Sequence, residues 1–211
     1  MEVLNNIKSF SQSGQDIFLY SLFSRIGTKN KIAVEFGAKD GIKWSNIRMF
    51  GFLGWKLHQW DKIFSNHLVI QENINAENIN DVFKKYNVPK QFDLLSIDID
   101  GNDYWVWQAL EYEPNVLLIE YNPNFSKDKS LSVNYDPNRF WKKNVAFGAS
   151  YKAMINLGEK KGYEAVCSIQ HDLIFLKKEL VNNVENIDKI SEPILPKHIH
   201  IQTGYNEFIE V

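Results

Sequence analysis

Short apolar runs bounded by glycines or polar turns alternate along this chain with stretches of helical period. GQDIFLYSLFSRIG (14–27) puts Ile17, Phe18, Leu22 and Ile26 near one helical face, with Ser13 placed to cap it and Gly27 to stop it. KIAVEFG (31–37) reads as a strand, followed by the polar turn AKDGIKW and an amphipathic stretch SNIRMFGFLG (45–54) that Ser45 is placed to cap. GWKLHQW (54–60) and HLVIQ (67–71) read as strands, ENINDVFKKY (77–86) as a helix and FDLLSID (92–98) as a strand. After Gly101, DYWVWQALEY continues as a short helix, and NVLLIEYN (115–122) is the most clearly buried strand. The polar, irregular run 123–143 is too long for a routine connection and reads as a lid or substrate loop.

Beyond the loop, GASYKAMINLGEKKG (148–162) has helical spacing and a glycine stop. YEAVCSI and DLIFLKK are strands joined by a turn so tight that they must run antiparallel. The tail from Val181 is polar until ILPKHIHIQTGY (194–205), where alternation predicts an edge segment. Five strand–helix steps followed by a helix and a hairpin describe an α/β, doubly wound, Rossmann-like sheet with helices on both faces. The 211 residues form one domain on this reading, with an N-terminal helical segment (1–30), a core (31–180) and a tail (181–211).

Composition narrows the partners. Net charge is -2 and the lysines and arginines form no basic stripe, which argues against nucleic acid. Aromatics make up 14 % of the chain, enough to line a pocket as well as fill a core. One cysteine, Cys167, leaves no internal disulfide and suits a reducing compartment; with no signal peptide and no membrane span, the expectation is a soluble, cytoplasmic protein.

Doubly wound sheets bind ligands at the carboxyl ends of their strands, so chemistry is sought there. In VEFGAKDG, Gly37 and Gly41 permit a tight turn and a close backbone approach, and Glu35 stands just before the turn. Asp61 ends the second strand, 20 residues beyond Gly41, where a carboxylate can accept from ribose hydroxyls, while Trp60 or Phe64 covers a base or fills the core. Asp98 and Asp100 at the fourth strand end meet Glu120 and Asn122 at the fifth. Asp98, Glu120 and Asn122 are oxygen donors suited to Mg²⁺, and without metal the same crowding raises a carboxylate pKa and creates a general base. Asn102 and Asp103 serve the following helix. His171 lies in the hairpin turn, His58 packs within the second strand, and His198 with His200 forms a pair lacking a nearby third metal ligand.

Taken in order and spacing, SQSGQDIFLYSLF, VEFGAKDGIKWSN, GWKLHQWD, FDLLSIDIDGNDYWVW, LLIEYNP, GASYKAMINLGEKKGYEAV and DLIFLKKEL resemble the FkbM-like family of S-adenosylmethionine-dependent methyltransferases over roughly residues 10–180. The resemblance implies a class I methyltransferase sheet of seven strands with an antiparallel last strand. It implies that the methionyl part of the cofactor lies against Glu35, Gly37 and Gly41, that Asp61 takes the ribose and that Asp98 faces the sulfonium. It further implies transfer to a hydroxyl of a sugar, nucleotide sugar or glycan, with Mg²⁺ held in some relatives at positions similar to Asp98, Glu120 and Asn122. Two positions depart from the pattern: relatives often end the second strand in Glu rather than Asp61, and commonly carry Asn at the place of Asp172.

The expected reaction is in-line displacement, with Asp98 as first and His171 as second choice for the base. A nicotinamide enzyme is disfavoured because GAKDG does not complete G-x-G-x-x-G. The rival readings are a methyltransferase of a non-sugar metabolite and a scaffold that keeps the fold without turnover. The compact chain leaves part of acceptor recognition to a partner or a homo-oligomer.

Overall fold

In the computed structural model, which describes residues 8–184 and 207–211, strand β1 (Ile32–Phe36) is the hub of a seven-stranded sheet. It pairs in parallel with β2 (Lys56–Asp61) on one side and β4 (Gln91–Ile97) on the other. The parallel array extends to β3 (Ile70–Gln71) beyond β2 and to β5 (Glu113–Glu120) beyond β4. Against β5 runs antiparallel β8 (Asp172–Lys177), and β7 (Tyr163–Ile169) closes that edge, giving the order β3-β2-β1-β4-β5-β8-β7. This is the α/β sheet the sequence predicts, with β8 as the reversed strand.

Consecutive residues of the central strands serve opposite layers, which is why those strands read as unbroken apolar runs. Leu95, Leu117, Ile119 and Phe175 pack with α3 (Ile79–Lys85), α4 (Asp103–Ala109) and α5 (Tyr151–Lys160) through Phe83, Trp107 and Met154. Their neighbours Leu94, Val116, Leu118 and Ile174 face the other way. There they meet Leu19, Leu22 and Phe23 of α1 (Gln15–Ile26) and Met49 and Phe50 of α2 (Arg48–Phe52).

Several local expectations change. Helix α1 buries Gln15, Asp16, Leu19, Leu22 and Phe23, a face rotated from the Ile17–Phe18 side, because the Asp16 carboxylate turns inward to accept from Ser9, Ser11 and the Phe10 amide. Gly14 rather than Ser13 occupies its N-cap, while Gly27 ends it as expected with φ 78°. The hydroxyl of Ser45 does accept from Arg48 N, at 3.0 Å, but the cap position of α2 falls at Ile47. HLVIQ yields only the two residues of β3, since the Asn66 carboxamide accepts from the Leu68 and Val69 amides and bends the start of the run.

Inside the 123–143 loop lies β6 (Leu131–Val133), which pairs antiparallel with β9 (Phe208–Glu210). The edge segment expected at 194–205, with His198 and His200, lies outside the described residues. Among the described residues no helix is long and apolar enough to cross a membrane.

Candidate functional site

The carboxyl ends of β1 and β4 are pressed together at one glycine. Gly37 has φ 73°, and a Cβ built on it would lie 1.7 Å from the Asp98 carbonyl oxygen, so only glycine fits. Behind it, Glu35 is 3 % exposed and accepts from Ser45 Oγ (2.6 Å), Asn46 N (2.6 Å) and Gln59 Nε2 (2.9 Å). Burial raises its pKa, with those three donors acting against the rise. Glu35 therefore shapes the 38–46 loop from within and lines neither of the two cavities that open beside Gly37. Gly41 is likewise behind the loop: a Cβ there would meet Val69 Cγ2 at 2.7 Å, and its carbonyl accepts from Gln59 Nε2.

Two cavities open beside Gly37. The larger, about 170 Å³, has apolar walls from Phe36, Trp60, Ile63, Phe64, Ile74 and Ile99, and polar groups from Asp61, Asp98, Asp100 and Asn102. The lid residues Arg139, Phe140 and Trp141 complete it. The smaller, about 20 Å³, is bounded by Gln12, Gln15, Lys43, Trp44, Asn46 and Asp172. Gly37, Lys39 and Asp98 line both.

Asp61 ends β2 at the larger cavity. Its Oδ1 accepts from Ile63 N (2.8 Å) and Phe64 N (3.0 Å), and its Oδ2 from Lys39 N (2.8 Å). A carboxylate offers about four acceptor sites, so roughly one remains for a ligand. Trp60 is fully buried and Phe64 is 48 % exposed, yet both line this cavity, one as floor and one at its rim. Asn102, which is 6 % exposed, donates to the Asp136 carbonyl at 2.7 Å, while its Oδ1 has no partner among the described residues.

Carboxylates crowd the junction. Oxygens of Asp98, Asp100 and Glu120 lie within 4.8 Å of one another, and Glu120 Oε2 is without a hydrogen-bond partner among the described residues. In the β5–β8 register Glu120 stands opposite Asp172. Burial, then the charges of Asp172, Asp103 and Asp100, push Asp98 well above the usual carboxylate range, with Lys39 opposing. Glu120 is raised for the same reason, burial first and Asp98 second. Burial also lifts Asp103 to about 6, against amide hydrogen bonds from Ile99 and Gly101. Asp172 rises to about 6 by burial, although Gln15 Nε2 donates to it at 2.7 Å. Burial and mutual repulsion favour the neutral forms of these carboxylates, and a positive charge entering the cluster would favour the ionised ones.

Two expected members stand elsewhere. Asn122 is fully buried with its amide committed to the 144–150 segment: Nδ2 donates to the Val145 and Phe147 carbonyls and Oδ1 accepts from Asn124 N. Asp100, held at φ 55°, takes the third place beside Asp98 and Glu120. His171 is exposed in the β7–β8 turn and lines neither cavity. His58 carries no partner on Nε2 among the described residues, and burial lowers it to about 4.

Asp100, read at the fourth strand end beside Asp98, does join the cluster, and Arg139 of the 123–143 loop lines the larger cavity, whereas Lys39 was not singled out by sequence. The only hint for Lys39 is its position inside the glycine turn.

No protein-family model matches the chain, and no curated protein matches it. Among solved structures it is similar to one described as "a putative hemolysin from Lactococcus lactis", with 13 % identity and a TM-score of 0.46 over 81 % of this chain and 90 % of that one. It is also similar to the MycE methyltransferase of the mycinamycin biosynthetic pathway, a complex with Mg and SAH, with 14 % identity and a TM-score of 0.42 over 88 % of this chain and 51 % of that one. At these identities and scores neither likeness bears on what this chain binds.

Proposed function

We propose that the protein is an S-adenosylmethionine-dependent methyltransferase that acts on a hydroxyl of a sugar, nucleotide sugar or glycan. The observation that carries this reading is the pair of cavities meeting at Gly37, Lys39 and Asp98. Their chemistry differs in the way the two ends of that cofactor differ. Apolar walls with Asp61 at the β2 end suit a nucleoside, and the one free acceptor site on Asp61 suits a single ribose hydroxyl. Ammonium and carboxylate groups that line the smaller cavity, Lys39 and Lys43 with Asp98 and Asp172, suit the two charges of an amino-acid end.

When bound, the cofactor supplies a methyl group on a cationic sulfur. The chain contributes orientation of the acceptor oxygen, a water-poor junction and Asp98 to take the hydroxyl proton as the new C–O bond forms and the C–S bond breaks. Where a divalent cation is required, Asp98, Asp100 and Glu120 are the residues to hold it, supplying charge that lowers the acceptor's proton affinity.

Asp98→Asn tests the assignment. Transfer from labelled S-adenosylmethionine to a panel of nucleotide sugars is expected to fall at least about 100-fold while S-adenosylhomocysteine binding survives. Unchanged transfer removes Asp98 from the chemistry.

A further inference from the structure

Strand β9 lies against the loop that closes the larger cavity. Val133 stands opposite Phe208 and Leu131 opposite Glu210. The Asn134 amide donates to the Glu207 carbonyl at 2.7 Å, the Val211 amide to the Ser130 carbonyl at 3.2 Å and Ser130 Oγ to the Val211 carbonyl at 2.5 Å. Phe208 packs edge-on against Phe125 with 4.7 Å between ring centroids. On its other side β6 is held by the segment before α5, where Val133 N donates to the Gly148 carbonyl and Ser150 N to the Leu131 carbonyl. The lid residues 134–141 continue directly from β6, so its anchorage adds to that given by Asn102 at the Asp136 carbonyl and Lys62 at the Arg139 carbonyl.

One side chain carries this anchorage to the cavity. Arg139 Nη1 lies 3.4 Å from Glu207 Oε2, and Nη2 donates to the Asn134 carbonyl at 3.3 Å. Its stem crosses Gly101 so closely that a Cβ there would sit 2.6 Å from Arg139 Cδ. Gly101 follows Asp100 of the acidic cluster, and the neighbouring Phe140 is fixed by Lys62 Nζ, 3.8 Å from its ring centre. Glu207, 68 residues away from Arg139 in the chain, thus meets the lid twice, through its carbonyl at Asn134 and its carboxylate at Arg139, whose Nη1 also donates to the Ala146 carbonyl at 3.5 Å.

We propose that Glu207–Val211 is a strap that holds the 134–141 lid in its closed place, with Glu207 and Arg139 as positioning residues for the ligand of the larger cavity. The identity of that ligand rests on the methyltransferase reading; the strap does not. A lid fixed in advance spares the ligand the ordering of eight residues, and so raises affinity without a new contact to it.

The test compares the full chain with a chain ending at residue 206 and with Glu207→Gln, each first shown to melt cooperatively. Amide hydrogen exchange reads the lid without any ligand. In the truncated chain, amides of 132–141 are expected to exchange at least about tenfold faster while β4 and β5 keep their protection. Unchanged lid protection overturns the strap. Calorimetry with S-adenosylhomocysteine then reads the cavity: Kd is expected to rise about fivefold or more on truncation and about twofold in Glu207→Gln. Non-additivity with Arg139→Gln in a double-mutant cycle would tie the effect to this pair. Unchanged affinity despite a released lid overturns the positioning role. A full chain that binds no S-adenosylhomocysteine instead refutes the cofactor reading, and the exchange result still decides the strap.

Discussion

The carbonyl oxygen of Asp98 occupies the space that a Cβ on Gly37 would need, at 1.7 Å from its ideal position. The relationship joins the ends of β1 and β4 and sets the Asp98 carboxyl between two cavities. Gly37→Ala must separate the strands or twist a φ of 73° that L-residues resist. It is expected to cost about 3 kcal/mol or more in urea unfolding and to abolish S-adenosylhomocysteine binding. A variant within about 0.5 kcal/mol of wild type with intact binding would show that the junction is softer than the packing implies.

Asp61 is expected to act twice, on the loop and on the ligand. Asp61→Ala orphans the amides of Lys39, Ile63 and Phe64, so it should lose stability by about 1–3 kcal/mol as well as affinity. Asp61→Asn keeps an acceptor oxygen and should fall between wild type and alanine in both. Equal affinity for S-adenosylhomocysteine across the three proteins would remove Asp61 from the nucleoside end.

Asp172→Asn removes one charge from the cluster while its carboxamide oxygen can still accept from Gln15. Burial raises Asp172 to about 6 from an ordinary 3.8, so the native state disfavours its ionised form. Below about pH 4 the group is protonated folded and unfolded, and it costs nothing. Between about pH 4 and 6 the unfolded form ionises first and that advantage is lost, and above pH 6 the cost levels off at about 3 kcal/mol. His58, lowered to about 4, tilts stability the opposite way by favouring the fold as pH rises towards 6.5. The informative quantity is therefore the difference in Tm between variant and parent. It should be small at pH 3.5, grow in the variant's favour to about pH 6.5 and then level off; a constant difference would contradict the account.

Charge entering the cluster should expel protons. S-adenosylmethionine carries a sulfonium that S-adenosylhomocysteine lacks, and that positive charge favours ionised Asp98 and Glu120, both raised by burial first, Asp98 next by Asp172 and Glu120 next by Asp98. Calorimetry in buffers of different ionisation enthalpy is expected to show more protons released with the sulfonium ligand. Equal proton counts would mean that the sulfur does not reach the carboxylates.

Leu94–Leu95 and Leu117–Leu118 explain why the sheet could be read from sequence. Both members of each pair are apolar because each strand is covered on both faces. The reversed β8 was legible because the turn after Ile169 is too short for a crossover. Pairing of β6 with β9 was not, since three-residue strands have no measurable period and their partners are far apart in sequence.

At the site, Asp98 stood out as a carboxylate closing an apolar run, and its neighbour Glu120 followed from strand adjacency. That the Asn122 amide is committed elsewhere could not be read, because it depends on where the 144–150 segment crosses the strand end. Asp93 shows the same limit. A carboxylate within β4, it is fully buried and accepts from the amides of Lys29, Asn30 and Lys31, stapling the turn before β1.

The central claim is that one elongated ligand spans both cavities past Asp98. Isothermal titration of the full-length wild-type protein with S-adenosylmethionine and S-adenosylhomocysteine tests it most directly. One-to-one binding of both, with adenosine and methionine each binding far more weakly alone, is the predicted result; no heat of binding from either cofactor form would contradict it.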